Sequence, residues 1–283
     1  MQSCPGAVVV ALYGPEPEGL RARLLAYCQA GLLVVAVNNN APDNPWLAAA
    51  ESGDRFLWLE NQNRGGLAGG LNRGVDRAVR AGCFVITLLD QDSALQADGV
   101  LQLQRQARVS NQIVLGPAIW DRERRRWHTQ ELRPRLLITS GTTFSAAVWE
   151  RCGPYQDWME IDFIDHEWCS RARQRGLTLM VEPQVRLEQQ FGERHPNPLA
   201  HRLGLQGYSP YRRAVALRNL RWLVLQGHVP LDIRLKEAVK MLLKPWCWLA
   251  LEPNRRRTWR SLRAGLQAPL GQPFPHDLLE GRR

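Results

Sequence analysis

The first half of the chain alternates short apolar runs with amphipathic stretches. Ala7–Tyr13 (AVVVALY), Leu32–Val37 (LLVVAV), the weaker Phe56–Leu59 and Cys83–Leu89 (CFVITLL) are rich in β-branched residues, and turn residues such as Gly14-Pro15 and Asn38-Asn39-Asn40 follow them. Their spacing predicts strands. Glu18–Ala30, stopped at Gly31, and Leu67–Arg80 read as the intervening helices. Because the runs are continuously apolar, the strands should be buried on both faces, as in a mostly parallel α/β sheet. Ligands of such sheets bind at the carboxyl ends of the strands, so Asn38–Asn40 and Asp90–Ser93 are the first candidates for chemistry.

The middle is mixed. Gln96–Arg108 predicts a helix, Ile113–Leu115 a strand, and Trp120–His128 (WDRERRRWH) a polar hairpin. Leu136–Thr139 and Thr142–Ser145 flank a Ser140-Gly141 kink. A helix over Asp165–Arg175, ended by Gly176, precedes a strand at Thr178–Val181. The last third reads as helical: Tyr211–Gln226, opened by Ser209-Pro210 and closed by Gly227; Ile233–Leu243, running into Pro245; and Arg255–Leu266. The pattern predicts an α/β domain over 1–205 and a basic helical extension over 206–283.

Composition narrows the class. A chain of 283 residues, 45% hydrophobic and 23% charged, is globular, which excludes disordered, collagen-like and coiled-coil classes. The net charge of +10 is unevenly placed. Residues 1–200 hold 21 basic and 22 acidic side chains, whereas residues 201–283 hold 16 and 5. The basic character is a property of the tail, which lacks any nucleic-acid recognition module. The six cysteines (Cys4, Cys28, Cys83, Cys152, Cys169, Cys247) form no CxxC pair, so neither a zinc site nor a disulfide framework is expected. The N-terminus has no positive n-region, and no apolar run reaches the roughly 18 residues of a spanning helix. These features predict a cytoplasmic protein.

Three constellations could carry chemistry. Asp90-Gln91-Asp92-Ser93 follows a buried strand, and carboxylates two residues apart can share a hard divalent cation, Mg2+ or Mn2+; an Asx turn or a helix N-cap is the alternative. In Asp162-Phe163-Ile164-Asp165-His166-Glu167-Trp168 the acids surround a helix start. Favourable acid placement at a helix N-terminus accounts for them, or they present a general base, with mutual repulsion in apolar surroundings raising at least one pKa. Gly65-Gly66-Leu67-Ala68-Gly69-Gly70-Leu71-Asn72 opens a helix as a phosphate cradle would, and close helix–sheet packing explains the glycines equally well.

Taken in order, these strings resemble family 2 glycosyltransferases of the GT-A fold, in their rhamnosyltransferase-like branch. The resemblance runs over about residues 6–225: VVVALYGPE, VVAVNNNAPD, NRGGLAGGLNRGV, LLDQDS, ITSGTTFSAAVWERCGPY, IDFIDHEWCSRARQRG and SPYRRAVALRN. It implies an inverting transfer from a nucleotide-sugar, typically dTDP-L-rhamnose, to a lipid-linked or polysaccharide acceptor of bacterial cell-surface glycan synthesis. Asp90 and Asp92 would hold the metal–diphosphate, and Asp165 would be the catalytic base. Gly14, Glu16, Asn38, Asn63, Gly66, Asn72 and Asp90 would form the donor site. Ser140, Gly141, Asp162, Glu167 and Arg212 would lie on the sugar and acceptor side.

The chain departs from the family pattern at three positions: Gly14 stands for an Asn, Asn38 for an Asp, and Gln189 for a metal-binding His, with Glu188 and His195 as the nearest replacements. Arg212, Arg213 and Arg218 form either a solvated face or a phosphate contact. Residues 233–266 set Leu242, Leu243, Trp246 and Trp248 among Lys236, Lys240, Lys244 and Arg255–Arg257. They read as an interfacial segment on the inner face of the membrane or as an ordinary helical subdomain. Other donors, galactofuranosyl or hexosyl nucleotides, and a non-catalytic GT-A relic are the alternative functions.

Overall fold

In the computed structural model, AVVVAL (β1, Ala7–Leu12) and LVVAVN (β2, Leu33–Asn38) are buried at every position, as their unbroken apolar runs require. The structure describes residues 6–40, 54–123, 125–128, 131–189, 195, 197–202, 205 and 207–280. Cys4 and Gln190–Glu193 lie outside them. With β3 (Phe56–Glu60) and β4 (Val85–Asp90), these strands form a parallel set in the order β3-β2-β1-β4. Beyond β4 the sheet continues through antiparallel β7 (Thr143–Ser145) and β5 (Ile113–Asp121), with the β6 hairpin strand (Arg126–Trp127) and parallel β8 (Thr178–Gln189) both pairing with β5.

Alternate residues of the strands feed two cores. Val9, Ala11, Val35 and Val37 pack beneath α2 (Gly66–Arg80), α4 (Ala146–Cys152) and α5 (Ile164–Gln174). Val8, Val10, Leu12 and Val34 pack beneath α1 (Leu20–Gln29) and α3 (Ala97–Ala107). The result is an α/β/α sandwich. Gly74 of α2 sits so close to the sheet that a Cβ would come within 2.3 Å of Val9 Cγ1. Gly66, with φ of +57°, leaves 2.8 Å between such a Cβ and the Glu160 carbonyl. Packing therefore accounts for these glycines.

Register aligns the carboxyl ends of the strands. Leu12 pairs with Asn38, Asn38 with Glu60, and Ala11 with Asp90. Strands β5 and β8 are longer than their sequence patterns predict. Their partnership slips by a bulge between Pro117 and Ala118 and then resumes to Asp121 opposite Gln189. Prolines and interleaved polar residues hide this second half in sequence, and it is the half that carries Gln189 to the carboxyl edge. Leu136–Thr139 forms no strand.

The remaining helices are α6 (Pro198–Arg202), α7 (Pro210–Leu223), α8 (Leu231–Leu251), α9 (Arg255–Gln267) and α10 (Asp277–Glu280). Two small cores bind them, one around Leu217, Trp248 and Leu262 and one around Val215, Ala264 and Phe274. Helix α8 does not stop before Pro245 but continues six residues past it. A proline costs an interior helix about 3 kcal/mol; here the turn beyond it is anchored by buried Trp248, packed on Tyr208 and Arg213.

Two of the tail's arginines, Arg213 and Arg218, are internal rather than solvated or free for phosphate. Arg213 is ion-paired with Glu252. Arg218 is fully buried; it donates to the carbonyls of Trp158 (2.7 Å), Met159 (3.3 Å) and Gln272 (3.1 Å) and lies over the Trp158 and Phe274 rings. Arg218→Ala removes a buried cation and leaves the buried carbonyls of Trp158 and Met159 without this donor. Chemical denaturation should show a loss of about 3 kcal/mol or more; a loss below about 1 kcal/mol would mean that these bonds do not support the fold.

Candidate active site

Asp90 ends β4 and Asp92 stands two residues on, in a turn tied down on both sides. Gln91 accepts from the Tyr13 amide (2.8 Å) and donates to its carbonyl (2.7 Å). Ser140 Oγ accepts from the Asp90 amide (3.3 Å) and contacts Ser93 Oγ. Gly141, at φ +83°, leaves no room for a Cβ beside the Pro117 ring. Ser93 donates to Gln189 Oε1 (3.1 Å), while Gln189 Nε2 faces Asp92 Oδ1 at 3.4 Å. Ser140 and Gly141 thus shape the acidic turn.

The second acid arrives on α5. Glu160, Asp162 and Phe163 all adopt positive φ (64°, 58° and 66°), which non-glycine residues rarely do. The strain is held by α7. Asn219 Nδ2 donates to the carbonyls of Met159 (2.7 Å), Ile161 (2.7 Å) and Asp162 (3.0 Å), beside Arg218. Backbone strain clamped this firmly is typical of functional turns. The turn presents Asp165 in the first turn of the helix. Asp165 Oδ1 accepts from the His166 amide (2.8 Å) and, in the Nδ1–H form, from its ring (2.8 Å). Among the described residues no hydrogen bond reaches Oδ2.

Electrostatics separates the carboxylates. Burial pushes Asp90 up to about 7, helped by the negative charges of Asp92 and Asp165 and opposed by Arg212. Burial also favours the neutral form of Asp165, but the neighbouring His166 charge and hydrogen bonds reverse this and hold the carboxyl below its usual range. Glu167 is likewise held low, against its burial, by His228 and Arg171. The raised pKa expected in the 162–167 cluster is therefore found at Asp90 instead. Partners decide this: each acid on α5 has a base beside it, His166 next to Asp165 and Arg171 four residues after Glu167.

The other expected site residues separate into two groups. Arg212 grips Asp162 through two bonds (3.0 and 2.9 Å) and stacks over Tyr208, which places both at the Asp90 side of the site. Glu167 is away from it: fully buried, bidentate with Arg171 (2.8 Å for each bond) and beside His228, it joins α5 to its surroundings. Gly14, Asn63, Tyr13, Asn39, Asn40 and Gln62 line a cavity of about 470 Å3. Asn38 lies behind its wall, its amide oxygen taken by Asn40 (3.0 Å) and its nitrogen by Glu60 (2.9 Å), so it cannot also meet a pyrimidine. Glu16 pairs with Arg21 and does not line the cavity. Asn72 bridges both backbone groups of Tyr155 (2.9 Å each) from α2. Two of the amides that open α2 are used internally, Gly66 on Asn63 and Ala68 on Glu160, which takes them from a phosphate.

A divalent cation fits the oxygen set of Asp90 and Asp92, whose charge Arg212 offsets at Asp90. Among the described residues no cluster of three or more His, Cys, Asp and Glu gathers. Neither proposed replacement for Gln189 serves: Glu188 pairs with Arg186 (3.0 Å), and buried His195 faces Glu252 at 3.5 Å. The sequence reading left Gln91, Asn219 and His166 without roles. Asn219 lies in the quoted SPYRRAVALRN string, but only contact with a strained turn assigns its purpose.

No protein-family model matches the chain. The curated dTDP-rhamnosyl transferase RfbF of Shigella flexneri is 25% identical over 268 residues, 87% of this chain and 89% of its own. Among solved structures, S. aureus TarS superposes on 97% of the chain and 50% of itself, with a TM-score of 0.60 and 12% identity. TarS 1–349 in complex with UDP-GlcNAc gives 0.58 over 93% and 79%, at 12% identity. GalNAc-T7, solved with UDP, GalNAc and Mn2+, gives 0.55 over 80% and 49%, at 14% identity. The chain spans about half the length of GalNAc-T7 and of the longer TarS structure. The chain thus shares the GT-A glycosyltransferase fold of these structures and is similar over most of its length to a dTDP-rhamnosyl transferase.

Proposed function

We propose that the protein is an inverting glycosyltransferase that moves a sugar, L-rhamnose from dTDP-L-rhamnose, to a hydroxyl of a lipid-linked or polysaccharide acceptor in bacterial cell-surface glycan synthesis. One observation carries this reading: an ionised Asp165, its Oδ2 free among the described residues, close enough to the Asp90–Asp92 turn for its charge to act on Asp90. The donor nucleoside occupies the asparagine-lined cavity beside Gly14. Asp90 and Asp92 would hold a Mg2+ or Mn2+ ion on the donor side of the site. When bound, that cation spreads the charge of the departing diphosphate. Asp165 Oδ2 takes the acceptor hydroxyl proton as its oxygen bonds to the anomeric carbon, and the carbon–diphosphate bond breaks on the opposite face. His166, anchoring Oδ1, orients the other oxygen. Arg212, fixed by Asp162 and Tyr208, adds positive charge on the Asp90 side.

The presence of GalNAc-T7 with UDP and Mn2+, and of TarS with UDP-GlcNAc, among the neighbours supports a nucleotide-sugar donor, and the name of RfbF supports rhamnose. The enzyme works on the inner face of the cytoplasmic membrane, through peripheral contact of residues 233–266. Donor hydrolysis and transfer measured across a nucleotide-sugar panel with Mg2+ and Mn2+ test the reading. Turnover should be highest with dTDP-L-rhamnose. A preference for a hexosyl or galactofuranosyl nucleotide replaces the donor, and no binding or turnover of any donor overturns the enzyme reading.

A further inference from the structure

Helix α8 turns an apolar stripe outward. At about 100° per residue, Leu231, Leu235, Val239, Leu242, Leu243 and Trp246 fall within a sector of about 120°. All six are more than half exposed, up to 71% for Trp246. The opposite side buries Glu237 and Trp248, the latter in a small apolar core that Met241 and Cys247 also join, so the outer stripe is a second apolar face. That inner side borders the candidate site: the charges of Glu237 and Lys240, an ion pair, act on His166, and that of Asp162 acts on Lys244. A surface helix normally turns its apolar stripe inward. Here the inner side is already filled, by Trp248 in its core and by Glu237, Lys240 and Lys244 toward the catalytic acids, and a further apolar stripe faces out.

Charge selects what covers it. Lys236 is exposed at the stripe's edge, and the one acid beside it, Asp232, is paired with Arg135. The next helix, α9, exposes five arginines from Arg255 to Arg263, together with Trp259, and contains no acid. A second copy of this chain would bring these like charges together. An anionic lipid surface would complement both the apolar stripe and the cations, and tryptophan suits the headgroup boundary. Among the described residues no helix is long and apolar enough to cross a membrane, so such a helix lies on the surface.

We propose that α8 seats its outer face in an anionic bilayer and thereby delivers the Asp165 site to an acceptor carried on that bilayer. The choice of acceptor rests on the glycosyltransferase reading; the seat itself does not.

Flotation with vesicles of phosphatidylcholine, alone or mixed with phosphatidylglycerol, tests it on the full chain. The wild type should float with the anionic vesicles, less at high salt. The exposed triple exchange Leu235→Glu, Leu242→Glu, Trp246→Glu should lower the bound fraction by about tenfold or more, with donor hydrolysis in vesicle-free buffer unchanged. If that variant does not fold, Trp246→Ser alone, which touches only the exposed stripe, should still reduce binding. A wild type that does not float, a variant that floats equally, or a dimer that the exchange splits without any vesicle binding overturns the seat. Vesicle binding without donor hydrolysis leaves the seat standing and overturns the catalytic reading instead.

Discussion

Asp165→Asn is expected to lower kcat by roughly 10^3-fold or more, at the upper end of what a positioned general base contributes. The exchange is nearly isosteric, and an amide oxygen can still accept from the His166 amide, so the helix start and its strained turn should persist. What disappears is the basic oxygen at Oδ2. Nucleotide affinity, measured by calorimetry, should change little, because Asp165 is assigned to the acceptor hydroxyl and not to the donor. The pH profile separates this role from a merely structural one. The wild-type Asp165 carboxyl is held below its usual range by His166, so it stays ionised across the neutral region. Loss of activity in mild acid must then come from another group. An Asn variant retaining more than about a tenth of wild-type kcat, with donor binding intact, would remove Asp165 from the reaction.

The second large effect concerns Asp90 and Asp92. In the cation-free protein Asp90 titrates near 7, against 3.8 for an ordinary aspartate. Between those values the unfolded chain has lost a proton that the folded chain keeps, so stability falls as pH rises from about 4 to about 7 and the loss is complete above that. A bound divalent cation displaces this proton, so binding strengthens over the same window. Mn2+ should therefore raise the melting temperature little at pH 5.5 and strongly at pH 8. At a hundredfold excess over its Kd the stabilisation is about 2.7 kcal/mol. Asp92→Ala, which also removes a repulsive charge from Asp90, should abolish the cation-induced shift at both pH values and lower kcat/KM by roughly 10^2-fold or more. Equal Mn2+ shifts at pH 5.5 and pH 8, or a shift that survives Asp92→Ala, would exclude this pair as the cation site.

Strand and helix positions in the first half of the chain were legible in sequence because double-sided burial demands unbroken apolar runs, and β1, β2 and β4 obey it. Where proline or a polar residue interrupts, as between the halves of β5 and β8 or within α8, the pattern misled, since pairing and packing override local signals. The acidic strings were visible, but their division of labour was not. Spacing says that acids crowd over 162–167; it cannot say that buried Glu167 also meets His228, or that burial and the Asp92 charge raise Asp90.

The same contrast holds for the tail. Its excess of positive charge is a property of the sequence alone, fixed by counting. Which cations are spent inside the fold, such as Arg213 and Arg218, and which remain on the surface of α9, only tertiary structure decided. The physical reason is general: periodicity reports whether a segment can bury one face, whereas the partner that meets that face, and hence each side chain's charge and exposure, comes from residues distant in sequence.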